Sequence, residues 1–398
     1  MPPEITAELL CVKNEPQAYL GLSLFVVYFF CMNFHGSYRK LDKEQPVSVH
    51  HGIFRREISF AEGVALIVSG TIGAGIFSIP FVVAQVGVLI GFAEIVFIGL
   101  LMLGINLLLG ELAFRSNMRL QLAGLAGRYL GAGGKWLMSL VSYTLLLGAL
   151  LIYIIGEGET LSALFGGTPF FWSVIFFLLG SFCVFLGLRT IKVAELILML
   201  GLLALVLFLV LWSAPHIQFA HWQYADFAQY LLPYGVLVFA YHGTTSVPEA
   251  HSILPKDIRL FRKVIITSGA IVMAVYAIFA LVVVGVTGPE TTEIATIGLG
   301  QFLGPAVFIV GNFFASIAMG TSFLMAGVAL RDSLSWDFRV HPLISAVVVT
   351  LVPFLLFLFG IREFVATIDI VGGVFMSLEI LLILMMYLRL RRSSTGKT

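Results

Sequence analysis

Apolar runs of bilayer-spanning length recur along the whole chain, and this recurrence decides what it can fold into. After a shorter run at 19–34, ten follow: 60–89, 90–114, 135–158, 169–188, 191–213, 229–254, 263–287, 301–330, 342–360 and 363–389. A spanning helix needs about 20 apolar residues. With 59% hydrophobic and 11% charged residues, the chain lacks the polar surface of a soluble domain. It is therefore expected to be an integral membrane protein. In hydrocarbon every backbone N–H and C=O must find an internal partner, so the expected fold class is an all-α polytopic bundle. The run at 19–34 follows Glu4, Glu8 and Glu15 with only Lys13 among them. It lacks the basic flank and small-residue cleavage site of a secretory signal and is expected to be an extra N-terminal transmembrane helix.

Charge distribution sets an expected orientation. If the loop at 35–59 is cytoplasmic and later loops alternate, every one of the 23 Lys and Arg residues except Lys13 and Arg362 falls on the inside. A missed helix would invert all later loops, so this bias supports both the helix count and a cytoplasmic C-terminus, with the N-terminus outside. The loop at 157–168, carrying Glu157 and Glu159, is then external, and 255–262 is internal. Cys11, Cys31 and Cys183 are too scattered for a disulfide framework or a metal cluster. His35, His50 and His51 fit a solvated cytoplasmic loop better than a metal site, and no metal is expected.

Two of the ten runs are interrupted at membrane depth, the first at "SGTIGAG" and the sixth at "YHGTTSVPE". Each opens a set of five crossings, and two five-crossing halves must insert with opposite orientation. The expected organisation is a 5+5 inverted repeat with broken helices 1 and 6, divided into 1–59, 60–213, 214–390 and a tail at 391–398. Unwinding at the first break frees N–H groups of Gly73, Ala74, Gly75 and Ile76 for an anion, and carbonyls from Ser69 to Ile72, around Thr71, for a cationic group. The second break frees carbonyls of Phe239, Ala240 and Tyr241 before Gly243. Such a pair of breaks suits a zwitterion, and an α-amino acid is the simplest one. A small-residue packing surface is the competing explanation of "GTIGAG".

"GTIGAGIFSIP" at 70–80, "LPYGVLVFAYHGTTSVPE" at 232–249 and "ASIAMGTSFLMAGVALRD" at 315–332 resemble motifs of the amino acid/auxin permease family, in particular its bacterial aromatic amino-acid permease branch. The resemblance spans about 58–392 and excludes the N-terminal helix. It implies a leucine-transporter-like fold, alternating access and cation-coupled uptake of an aromatic or large neutral amino acid, with H+ or Na+ as coupling ion and no cofactor. The carbonyls of Gly70 and Ile72 with the hydroxyls of Thr321 and Ser322 would form a cation site. These are hard oxygen ligands, although Ser and Thr also bond routinely to their own helix. Side chains implied for the substrate pocket are Tyr143, Phe239, Tyr241, Asn312 and Ser316.

Ionisable residues inside the membrane are functional candidates. His242 and Glu249 flank the second break, Glu195 lies near Arg189 and Lys192, and Asp369 lies toward the outer face. All four are candidates for gating or proton transfer. Glu111 is expected to pair with Arg115. No role is implied for Glu379. A divalent-metal transporter of the same fold would be expected to carry Asp and Asn at the first break, where Thr71 stands instead. A non-transporting amino-acid sensor is a further alternative. Catalytic motifs such as HExxH are absent from the helices, so no enzyme is expected. The expected partners are the bilayer and a small amino acid, with a monomer or weak homo-oligomer and no nucleic acid.

Overall fold

In the computed structural model, residues 60–116, 120–186, 192–254, 257–337 and 340–395 are described. They belong to one unit, Arg55–Thr398. The expected helix at 19–34, the histidines at 35, 50 and 51, and Cys11 and Cys31 lie outside the described residues.

All ten apolar runs from residue 60 onward carry helix. The first is divided into α1 (Phe60–Thr71) and α2 (Gly75–Val86), whose axes differ by 59°. Then come α3 (Val88–Ser116), α4 (Leu122–Phe165), α5 (Pro169–Leu186) and α6 (Lys192–Ser213). The sixth run is also divided, into α7 (Tyr234–Ala240) and α8 (Ser246–Ile253). It is followed by α9 (Ile258–Thr287), a short α10 (Ala295–Leu303), α11 (Pro305–Asp337) and α12 (Pro342–Leu358). The last run is α13 (Phe364–Ile370), a π-helical turn (Val371–Met376) and α14 (Ser377–Thr395). Among the described residues, six helices are long and apolar enough to cross a membrane, or seven when α1 and α2 count as one span.

The structure differs most from the sequence expectation at α4. This helix begins well before residue 135 and continues past Glu157 to Phe165. A hydropathy reading follows unbroken apolar runs, whereas "LAGLAGRYL" is interrupted by two glycines and Arg128. A bend at Gly131, with φ of 82°, separates this amphipathic start from the span proper; φ of that sign favours glycine. At the other end, Glu157 does not terminate the helix. It is buried inside it at 1% exposure, so the expected external loop shrinks to the turn at 166–168.

α4 packs against α5, α11, α12 and α14, whereas α9 packs against α1, α2 and α3. The divided helices cross between these groups, α1 against α8 and α2 against α7. Tyr276, Phe261 and Phe279 of α9 and Phe323 of α11 are fully buried. Phe97, Leu178, Phe182 and Leu211 remain exposed on the outer face, as expected where lipid is the solvent.

Candidate functional site

The two breaks meet, and small residues let them. A Cβ on Gly75 would stand 2.7 Å from Ala240 Cα, so the start of α2 lies directly on the end of α7. A Cβ on Gly70 would run into Ser246 Oγ, and one on Gly243 into Thr71 Oγ1. Backbone is thus packed on backbone across the crossing, as small residues permit between membrane helices. The other side of the first break is different. A Cβ on Gly73 would find only Tyr153 Oη at 3.4 Å and Ser322 Oγ at 4.0 Å. Tyr153 of α4 and Ser322 of α11 thus both present their hydroxyls to it. Gly73 therefore faces a small polar group formed by two other helices.

N–H groups in the first turn of a helix have no acceptor within it. At α2 Phe77 N–H donates to Ala74 O at 3.1 Å, which leaves those of Gly75 and Ile76 after the break at Gly73. Their direction, together with the positive end of the helix, makes this turn a place for an anionic group beside the Tyr153 hydroxyl. The carbonyls at both breaks are partly satisfied by one residue. Tyr276 of α9 donates to Ala240 O at 2.7 Å and lies 3.4 Å from Thr71 O. Thr71 turns its own hydroxyl back to Ile67 O at 2.7 Å, and Tyr241 donates to Ile95 O of α3 at 3.0 Å. Neither side chain is free to swing into the gap without breaking these bonds.

The structure gathers Gly70, Thr71, Ile72, Gly73, Ala74, Gly75, Ala240, Tyr241, Gly243 and Ser322 around the paired breaks. Phe239 backs onto Gly372 of the π-helical turn. Other predicted residues lie elsewhere. Tyr143 is bonded to Ser333 at 2.6 Å, and Asn312 is tied to Thr296 of α10 at 2.9 Å. Ser316 donates to Glu157 Oε2 at 2.7 Å. Thr321 donates to Ile317 O and Ala318 O of its own helix, at 2.9 and 3.0 Å. Glu249 is on the exposed face of α8, and exposed Asp369 packs against Gly235. Glu195 belongs to α6, but its side chain is outside those described. Glu111 pairs with Arg115 at 2.7 Å.

Sequence reasoning missed Tyr153, Tyr276 and Glu157. Tyr153 is separated from Tyr143 by ten positions, so the two side chains stand about 80° apart around α4 and the spacing does not mark Tyr153 out. Nothing local marks Tyr276 out.

Comparison with solved structures identifies the fold. MhsT in complex with L-phenylalanine matches with a TM-score of 0.60 at 16% identity, over 86% of this chain and 89% of MhsT. The manganese transporter of Eremococcus coleocola matches with a TM-score of 0.55 at 15% identity, over 86% of this chain and 81% of the transporter. The chain has the leucine-transporter-like fold of these proteins. Among curated sequences, Glutamine transporter 2 of Aliivibrio fischeri is 23% identical over 348 residues, which is 84% of this chain and 90% of that protein. The tryptophan/tyrosine permease family model matches residues 56–397, and the chain belongs to that family, whose members are membrane transporters rather than enzymes.

Proposed function

We propose that the chain is a cation-coupled symporter that carries one neutral amino acid by alternating access. The observation that carries this reading is the opening beside Gly73, where the first turn of α2 meets the Tyr153 and Ser322 hydroxyls opposite the end of α7. The substrate carboxylate binds the α2 turn and Tyr153, and its ammonium group sits by the carbonyls of Ile72, Phe239 and Ala240. Aromatic or large neutral amino acids are the first substrates proposed. Glutamine is the second, favoured by the curated relative. The halves 60–213 and 214–390 act as inverted repeats, with α1–α2 and α7–α8 as matching elements.

The coupling ion proposed is H+. Na+ is the alternative, held by Gly70 and Ile72 carbonyls with Thr321 and Ser322. Purified protein in liposomes is expected to take up labelled amino acid undiminished when external sodium is replaced by choline at fixed pH. A protonophore should collapse that uptake. Loss in choline would assign sodium, and indifference to both gradients would remove symport.

The proposed orientation places the C-terminus in the cytoplasm. In a background with the native cysteines replaced, Thr168→Cys, in the exposed turn after α4, is expected to react with an impermeant thiol reagent on intact cells. Asp257→Cys, exposed just before α9, is expected to stay unlabelled until the cells are opened. The reverse pattern would invert the assignment.

A further inference from the structure

Glu379 is a buried acid that neither the sequence motifs nor the proposed substrate contacts use. It starts α14 at 2% exposure, within the span Phe364–Arg392. Its Oε1 accepts a hydrogen bond from Thr244 Oγ1 at 2.5 Å and lies 3.3 Å from His242 Nε2. Its Oε2 is buried with no partner. His242 and Thr244 flank Gly243 inside the gap between α7 and α8, and Gly243 rests on Thr71 at the other break. A carboxyl group on one helix is thus bonded, by two side chains, to the unwound segment of another.

We propose that His242 and Glu379 together bind the coupling proton. The proposal rests on the symport reading above and names the group that performs it. With the proton bound, the pair is neutral overall, whichever partner carries it. Without the proton, neutral imidazole and carboxylate leave one net negative charge at membrane depth, which is costly unless water or a cation reaches it. The proton enters from water on one side, resides on imidazole nitrogen or carboxylate oxygen, and leaves to water on the other side. Since His242 belongs to the break and Glu379 to α14, occupancy by the proton changes how strongly the break is held against α14. This is the differential stabilisation of two conformations that coupling requires.

Other ionisable groups near α14 do not provide this link. α4 carries no charged side chain between Lys135 and Glu157, and its tyrosines there are Tyr143 and Tyr153. α3 carries Glu94 near its start and Glu111, which is engaged by Arg115 at 2.7 Å and Arg262 at 3.8 Å. Along the last span itself, Asp369 is ten residues before Glu379 and Arg389 ten after, each about 15 Å away along the helix. Glu157 is as deeply buried as Glu379, but its bonded partner Ser316 lies on α11, away from both breaks.

The test uses the full chain in liposomes with a radiolabelled mixture of L-amino acids, by two assays. One is accumulation driven by an inward pH gradient, which for one proton per substrate reaches up to about tenfold per pH unit. The other is counterflow at equal pH. Glu379→Gln and His242→Gln are each expected to lose accumulation and keep counterflow. Thr350→Val, which removes a hydrogen bond to Ala346 O within α12 but neither titratable group, is expected to keep both. Purified wild-type protein in weak buffer should also take up a proton when the mixture is added, and the two Gln variants should not. Normal accumulation in either Gln variant overturns the proposal, as does equal loss in all three variants. If the Gln variants fail to fold, absence of proton uptake by the wild type overturns it alone. Wild-type transport that ignores the pH gradient also overturns this inference but leaves amino-acid transport standing. Absence of wild-type counterflow removes the transport reading itself.

Discussion

Gly73→Ala is expected to fold normally and lose amino-acid binding by about tenfold or more, whereas Gly75→Ala is expected to lose folded protein. The same methyl group is added two residues apart, and the surroundings decide the outcome. At Gly73 the new Cβ would meet Tyr153 Oη at 3.4 Å, an ordinary contact, so the fold can hold it. It would, however, occupy the space between the α2 turn and the Tyr153 hydroxyl. A hydrogen bond to a charged group contributes about 1.5 to 3 kcal/mol, so displacing one gives at least about a tenfold loss of affinity. At Gly75 the Cβ would stand 2.7 Å from Ala240 Cα and 3.2 Å from Ala240 N. Backbone cannot yield as a side chain can, and α2 would have to move off α7 at a cost of about 1 to 3 kcal/mol or more. Thermal unfolding and direct substrate binding on purified, monodisperse variants separate the two effects. Wild-type affinity in a well-folded Gly73→Ala protein would mean that this turn does not hold the carboxylate.

Tyr153→Phe is expected to weaken substrate binding by about tenfold or more, while Tyr143→Phe leaves affinity unchanged. Both side chains are on α4, both are tyrosines, and each loses only its hydroxyl. The Tyr153 hydroxyl is beside Gly73, whereas that of Tyr143 is bonded to Ser333 at 2.6 Å. Tyr143→Phe therefore breaks a tie between α4 and α11, with a stability loss of about 0.5 to 1.5 kcal/mol. Binding isotherms for the two variants decide the matter. Equal affinities would place the carboxylate away from Tyr153.

The membrane-protein class, the run of helices and both interruptions were legible in sequence, because lipid imposes a strong constraint on length and polarity and because Gly-rich stretches interrupt otherwise apolar runs. The roles of individual glycines were not. "GTIGAG" suggests that Gly73 and Gly75 do one job, and only the crossing partners show that Gly75 abuts Ala240 while Gly73 does not. Tyr143 and Tyr153 could not be ranked without knowing how far α4 extends, and its extent was hidden because Glu157 looks like the end of a span. Glu157 remains within the helix because Ser316, on another helix, accommodates its carboxyl group. Long-range partners of this kind, like those of Glu379 and Tyr276, have no local trace in the chain.

The Tyr276 hydroxyl has one hydrogen to donate and two carbonyls within reach, Ala240 O at 2.7 Å and Thr71 O at 3.4 Å. These are the last residues of α7 and α1, so a single proton donor serves both hinges of the molecule. Its strength is divided, and what one carbonyl gains the other loses. A tilt of α7 that stretches the shorter contact releases the donor toward Thr71, and tightening at Thr71 makes the return of α7 less favourable. In the proposed alternating-access cycle the two breaks would therefore share one latch on α9, drawn from one carbonyl as it closes on the other.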